Sequence, residues 1–408
     1  MIGHLEGARV LIYSHDTFGL GHLRRCRAIA HALVERYKRV SVLILSGSPI
    51  IGSFDYRSRV DFVRVPGVIK LRNGEYTSLS LHINTQQTLD MRASIIRHTA
   101  EIFEPHLFIV DKEPLGLRGE VLDTLTMLHE RGTRLVLGLR DILDDPGLLG
   151  PEWDRKGVLH ALTDLYDQLW IYGLPTICDP LEGIDLPDKV RDKAVFTGYL
   201  RRTVPTALHH GPEIEMPDEP FLLTTPGGGG DGENLVDWVL RAYEQDRGQL
   251  MRMLIVFGPF MSPEAQAGFM QRVEALDRVD ALTFDPHIET MMARSAGIVA
   301  MGGYNTFCEI LSFDRPAIMV PRVKPRLEQY IRASRAEHLG LVRTLNDDGI
   351  RDGATMARAI HELPGQPPPS KAMVPGLLDG LDEINRLMGR WMLENRARVP
   401  GRRRRAGG

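Results

Sequence analysis

Short, nearly continuous apolar runs, each followed by a helical pattern, recur along this sequence and constrain its fold more than any other feature. "ARVLIYS" (Ala8–Ser14), "VSVLILS" (Val40–Ser46), "HLFIVD" (His106–Asp111), "TRLVLGL" (Thr133–Leu139) and "QLWIYG" (Gln168–Gly173) lack the apolar–polar alternation of a half-exposed strand. Parallel strands covered by helices on both faces read this way. Helical patterns lie between them at His22–Tyr37, Ser80–Phe103 and Arg118–Arg131. The β-α alternation predicts an α/β fold with a doubly wound parallel sheet.

Residues 201–220, "RRTVPTALHHGPEIEMPDEP", break the pattern with proline, acid and small polar residues, and read as an interdomain linker. The alternation then restarts. Strands are expected at "PFLLTTP", "MRMLIVFG", "ALTF", "AGIVAMGG" and "PAIMVP". Helices are expected at Gly232–Glu244, Ser262–Ala275, Ile288–Arg294, Tyr304–Ser312 and Leu327–Leu339. A last helix, near Leu377–Glu394, follows "GQPPPS" and is placed to cross back over both domains. The expected division is an N-terminal domain at 1–205, a C-terminal domain at 206–370, the crossing helix within 371–396 and a disordered basic tail at 397–408. A chain of 408 residues is long enough for two domains of roughly 200 residues each.

Composition narrows the function classes. A net charge of −3 supplies no field that would gather nucleic acid. The basic tail reads as a solvated terminus, with contact to a phospholipid surface as the alternative. Cys26, Cys178 and Cys308 are far apart, which fits a reducing cytoplasm and no structural zinc. No stretch resembles a signal peptide or the roughly 20 apolar residues of a membrane span. A cytoplasmic protein is expected, with peripheral contact at an inner membrane surface left open.

In open α/β sheets, ligands collect at the carboxyl ends of the strands. The glycine clusters fall there. Gly19 and Gly21 follow the first strand and open a helix beside His22. A dinucleotide fingerprint would need a third glycine where Arg24 stands and an acid ending the second strand, which ends "LSGSP". A tight turn is the plain reading. The sharper one is an anion site with a base: glycine admits close approach, and the helix N-terminus disfavours an imidazolium, leaving His22 a neutral general base. Asp16 and Asp111 also end strands and are candidates to orient His22, or simply caps.

The second cluster, "TTPGGGGDGEN", opens a helix in the C-terminal half. Gly228, Gly229 and Gly230 would present amides to phosphate, and no Gly-Lys-Ser/Thr follows that would make this a P-loop. The third, "MGGYNTFCEI", places Gly303 at a turn with Thr306 and Glu309 on one helix face. A hydroxyl at a helix start suits phosphate, and a carboxylate one turn further accepts from both vicinal hydroxyls of a ribose. A fourth stretch, "VPRVKPRLEQYIRA", places Glu328 and Gln329 in a first helical turn, where they can reach sugar hydroxyls or act as caps. No Asp-x-Asp pair and no His/Cys cluster with metal-ligand spacing is present in the sequence.

Together, "GLGHLRRCRAIAHAL", "PGGGGDGEN" and "MARSAGIVAMGGYNTFCEILSFDRPAIMVPR" with "EQYIRASRAEHLG" resemble the GT-B-fold glycosyltransferases of the family 28 type, most sharply over residues 284–340. The resemblance implies two Rossmann-like domains facing each other across a cleft. It implies that Glu309 holds the ribose, Gly303 and Thr306 the diphosphate, and Gln329 the donor sugar, with His22 facing donor sugar and acceptor. The sequence departs from the family pattern at Gly302 for a serine, at Glu328 for a glutamine and at Gly227–Gly230 for a serine-bearing loop.

The implied activity is transfer of a sugar from a nucleotide-diphosphate donor, a UDP-sugar first, to an acceptor hydroxyl. The reaction is expected to invert and to need neither metal nor cofactor, and to serve bacterial envelope or polysaccharide synthesis. The acceptor can be a sugar, a lipid-linked or a small molecule. "PGVIKLRNGEYTSLSLHIN", with Lys70, Arg72, Asn73 and Tyr76, is either an acceptor loop or a solvated one. Two alternatives stand beside transfer. One is hydrolysis of a UDP-sugar, for which Arg25, or Arg24, would be the matching arginine; the other is nucleotide-sugar binding without turnover.

Overall fold

In a computed structural model, residues 7–15, 21–70, 76–143, 146–204, 216–228, 230–246, 248–285, 287–324 and 326–398 are described. The first sheet is built from β1 (Arg9–Ser14), β2 (Ser41–Ser46), β3 (Val60–Arg64), β6 (Leu107–Asp111), β7 (Arg134–Arg140), β8 (Gln168–Tyr172) and β9 (Ala194–Phe196). All pair in parallel, in the order β3-β2-β1-β6-β7-β8-β9. Between β3 and β6, β4 (Val68–Lys70) and β5 (Tyr76–Ser78) form a separate antiparallel hairpin. Helices α1 (Gly21–Arg36), α2 (Thr85–Phe103), α3 (Leu122–Glu130) and α4 (Pro146–Arg155), with the short turns α5 (Val158–His160) and α6 (Asp188–Arg191), complete this half.

The second sheet contains β10 (Phe221–Thr225), β11 (Arg252–Val256), β12 (Val279–Leu282), β13 (Gly297–Ala300), β14 (Ala317–Met319) and β15 (Arg343–Thr344). Its strands are also parallel, in the order β12-β11-β10-β13-β14-β15. Its helices are α7 (Glu233–Gln245), α8 (Pro263–Glu274), α9 (Ile288–Arg294), α10 (Tyr304–Phe313), α11 (Glu328–His338) and α12 (Gly353–Glu362). The final helix, α13, spans Gly380–Arg398.

The apolar runs earn their place by burial on both sheet faces. In β1, Val10 and Ile12 enter one core while Leu11 and Tyr13 enter another. In the second sheet Leu222, Met253 and Ile255 pack on one side, and Phe221, Leu223 and Leu254 on the other. Each such aliphatic side chain contributes about 1.5–3 kcal/mol of burial, so a strand covered on both faces needs an apolar residue at nearly every position. β3 escaped that pattern because it is an edge: Val60 is buried while Asp61 and Arg64 are exposed. Helix α2 starts at Thr85, later than Ser80, because Asn84 and Gln87 form a capping box. Helix α3 starts at Leu122 after a separate tight turn at Leu117–Gly119, in which Arg118 has φ 50°.

Both sheets reverse direction once. The first does so between β1 and β6, the second between β10 and β13. Such switch points open crevices at the carboxyl ends of the strands. The two crevices face each other, and the domains are joined by a continuous apolar core in which Tyr304, Phe307 and Ala333 pack with residues of β1 and α1. Beneath the cleft, Arg332 of α11 makes a bidentate pair with Asp141 after β7, at 2.7 and 2.6 Å, both residues fully buried. Helix α13 returns to the N-terminal half. The Tyr199 N–H donates to the Leu377 carbonyl at 2.8 Å, and the Tyr37 hydroxyl donates to the Asn385 carbonyl at 2.7 Å. Gly380 is required at that return, since a Cβ there would lie 2.5 Å from the Gly198 carbonyl oxygen.

Candidate active site

The loop ends of both switch points line one cleft with a cavity of about 510 Å³. Gly21, His22, Gly228, Gly230, Gly303, Thr306, Glu309, Glu328 and Gln329 all lie on its walls. Gly19, Gly229, Asp16, Arg72 and Asn73 lie outside the described residues, as do the linker 205–215 and residues 399–408 of the tail. Tyr76 is on the hairpin, packed with Val68, Leu89 and Leu117 beneath the Arg118 guanidinium, and does not line the cleft.

On the N-terminal wall, His22 is in the first turn of α1 and Asp111 ends β6, the strand across the switch point from β1. His22 Nδ1 lies 2.5 Å from Asp111 Oδ2. A contact that short to a carboxylate needs a proton on Nδ1, and we assign that tautomer, which leaves Nε2 with a free lone pair. Arg25, three residues along the same helix, donates from Nε and Nη2 to Asp111 at 2.8 and 2.6 Å. Its charge holds the Asp111 carboxyl far below the usual range against the opposing effect of burial. Burial pushes the His22 imidazole down to about 4, opposed by Asp111 and assisted by Arg25 and Lys112. The neutral imidazole expected from the helix dipole is therefore produced mainly by desolvation.

The C-terminal wall is made of backbone. Gly227 has φ 83°, and Gly258 packs so tightly against it that a Cβ on Gly258 would lie 2.5 Å from the Gly227 carbonyl oxygen. The loop is thereby held open-faced at the start of α7. Across the switch point, a Cβ on Gly303 would meet nothing within 4 Å, so the space beside it is available to a ligand. The departure at Gly302 has a local cause: φ is 82° and a Cβ would lie 1.9 Å from Met319 Cε. Phe260, Phe284 and Ile288 supply an apolar edge to the cavity that the glycine motifs did not announce.

Glu309 is buried in α10, where Oε1 meets the other domain. Arg24 Nη2 crosses from the other domain to lie 2.5 Å from this oxygen and 2.8 Å from Glu289 Oε1. Burial raises the Glu309 carboxyl to about 7; Arg24 opposes this and the Glu289 charge adds to it. Glu328 Oε1 accepts from Arg322 Nη2 at 2.6 Å while its Oε2 is buried without a donor, and Gln329 Oε1 accepts from the Arg322 amide at 3.2 Å. Arg25 and Arg24 thus have separate duties: one fixes Asp111, the other the two glutamates.

Residues 226–372 match the family model described as the glycosyltransferase family 28 C-terminal domain. No curated protein sequence matches the chain. Among solved structures, the spinosyn forosaminyltransferase SpnP aligns at TM-score 0.59 and 15% identity, over 97% of this chain and 99% of that one. The glycosyltransferase VinC, solved in complex with dTDP, aligns at 0.55 and 17%, over 96% and 100%. The Acinetobacter baumannii MurG aligns at 0.56 and 11%, over 94% and 99%. The fold is therefore GT-B, and residues 226–372 match the C-terminal domain of family 28 glycosyltransferases. Among the described residues no helix is long and apolar enough to cross a membrane.

Proposed function

We propose that the protein transfers the sugar of a UDP-sugar to an acceptor hydroxyl with inversion, using His22 as base and Asp111 as its orienting partner. The observation that carries this reading is the meeting in one cleft of the His22–Asp111 contact with the glycine loops of the opposite domain. The diphosphate would lie on the amides of Gly228 and Gly230 and at the start of α10, beside Gly303 and Thr306. Glu309 would accept from the ribose hydroxyls, with Arg24 exchanging its contact there for Glu289. Glu328 and Gln329 would receive hydroxyls of the donor sugar. Gly19 and Gly229 belong to the same loops by sequence.

In the reaction, His22 Nε2 takes the acceptor proton as its oxygen attacks the anomeric carbon on the face opposite the diphosphate. The bond to the donor phosphate oxygen breaks, and the electron pair stays on UDP. Main-chain amides stabilise that charge, so the step calls for no metal. Asp111 stabilises the imidazolium that forms. Cytoplasmic residence, envelope or polysaccharide synthesis, and peripheral membrane contact through the basic tail go with this reading where the acceptor is lipid-linked.

A coupled assay of UDP release on a panel of UDP-sugars and acceptors tests it. His22→Gln should bind UDP and release it from the productive pair about 10²–10⁴ more slowly. Equal release of UDP and free sugar without any acceptor would assign hydrolysis instead.

A further inference from the structure

One cation in the cleft has no counterpart. Arg140 ends β7 on the N-terminal wall and lines the same cavity as His22, Arg25, Glu328 and Gln329. Among the described residues its side chain makes no hydrogen bond and no ion pair, and its Nε is buried without an acceptor. The nearby carboxylates are committed elsewhere. Asp141 takes both arms of Arg332, the Tyr199 hydroxyl at 2.8 Å and the Ile142 amide at 2.9 Å. Glu328 takes Arg322 through Oε1 and makes no ion pair with Arg140, although its charge favours the Arg140 guanidinium. Arg25 is paired with Asp111, Arg332 with Asp141 and Arg92 with Glu120, and Arg202, whose Nε is also unpartnered, still bonds the Arg24 carbonyl and Asn305 through its Nη atoms, whereas Arg140 has no such contact among the described residues. A half-buried guanidinium whose Nε is buried without an acceptor is costly, and such a group in a cleft is a candidate to receive charge from a ligand.

A second cation stands beside it. Lys112 follows Asp111 directly and has φ 70°, a conformation strained for a residue with a side chain. Its amide donates to the Gly138 carbonyl at 2.7 Å, which binds the end of β6 to β7. Burial, and then the Arg140 charge, push the Lys112 ammonium down to about 8. The only carboxylate in ion-pair reach of Lys112 among the described residues is Glu113, at 3.6 Å, and Lys156 shares it at 3.6 Å. This positive corner lies on the base's domain, across the cleft from the glycine loops that suit the diphosphate.

We propose that Arg140, with Lys112 beside it, is the specificity-determining subsite for an anionic group, a carboxylate or phosphate, carried by the acceptor or by the transferred sugar. The proposal rests on the transferase reading of the cleft and adds the charge of its second substrate group. A guanidinium that pairs with an anion in such a setting is worth ten- to a hundred-fold in affinity, from about 1.5–3 kcal/mol per charged hydrogen bond.

The experiment titrates wild type, Arg140→Gln and Arg140→Lys by calorimetry. Inorganic phosphate is added to UDP-saturated protein, and UDP-glucose and UDP-glucuronate are each added to free protein. Phosphate binding that weakens at least about ten-fold in Arg140→Gln and is restored in Arg140→Lys supports the proposal and assigns the anion to the acceptor. A ten-fold preference for UDP-glucuronate over UDP-glucose, lost in Arg140→Gln, supports it and assigns the anion to the sugar. Unchanged behaviour in both arms overturns it, and so does an equal loss of UDP affinity, which would assign Arg140 to the diphosphate. If wild type binds no UDP, the donor reading fails, and phosphate binding to free protein, dependent or not on Arg140, still decides this one.

Discussion

The two crevices have the same topology and opposite chemistry. At the β1/β6 switch, side chains do the work and are already bonded to one another: His22 to Asp111, and Asp111 to Arg25. At the β10/β13 switch the surface is glycine backbone, and the side chains around it carry unfilled acceptors, Glu289 Oε2 and Glu328 Oε2, beside Glu309, whose Oε1 is held by Arg24. A group that must move a proton benefits from being held in its reactive tautomer before substrate arrives. A surface that must receive a ligand keeps its hydrogen-bonding capacity for that ligand. On the proposed reading, the N-terminal half is the catalytic wall and the C-terminal half the binding wall.

Variants of the catalytic wall give the largest expected effect. His22→Gln and Asp111→Asn should each lower kcat by about 10²–10⁴, the range for loss of a general base or its orienting carboxylate. UDP affinity should stay within about two-fold if the division of labour holds. Steady-state turnover beside UDP titration measures both.

The tie between the walls comes next. Arg332→Leu leaves Asp141 buried and unpaired, which should cost about 3–5 kcal/mol in urea unfolding. Replacing both partners with leucine should recover most of that loss, and a double variant no better than the single would contradict the geometry of the pair.

Binding variants should be milder and confined to the donor. Glu309→Gln should weaken UDP ten- to a hundred-fold, about 1.5–3 kcal/mol, while uracil compounds lacking the ribose hydroxyls bind both proteins alike.

The pH profile is the subtlest test. With His22 pushed down to about 4, the base is unprotonated above that value, so kcat at saturating donor should be level across pH 6–8 and fall only on approach to 4, while kcat/KM also senses Glu309, raised to about 7 in the free protein. A rising limb of kcat centred at the ordinary imidazole value of about 6.5 would place the histidine in water.

Much of this was legible in the sequence because it depends on local pattern. Buried parallel strands need unbroken apolar runs, and β1, β6, β7, β10 and β13 follow them closely. The glycine loops announce themselves because φ values of 83° at Gly227 and 82° at Gly302 strain any residue with a side chain. What stayed hidden depends on which strands become neighbours. Asp111 and Asp16 read alike until β6 is seen to lie beside β1. Arg24 and Arg25 are adjacent in sequence, yet one crosses to the other domain while the other turns inward. Arg140 carries no motif at all; its interest lies in what it fails to touch. The edge strands β3 and β9 were missed because exposure relaxes the apolar requirement that made the others visible.

The most direct measurement is a side-by-side calorimetric titration of UDP into wild type, His22→Gln and Glu309→Gln. If one wall binds and the other reacts, UDP binds wild type and His22→Gln alike and Glu309→Gln at least ten-fold more weakly, by the charged hydrogen bond it loses. UDP that fails to bind folded wild type, or that binds Glu309→Gln as well as wild type, would contradict the assignment of the glycine-lined wall to the nucleotide.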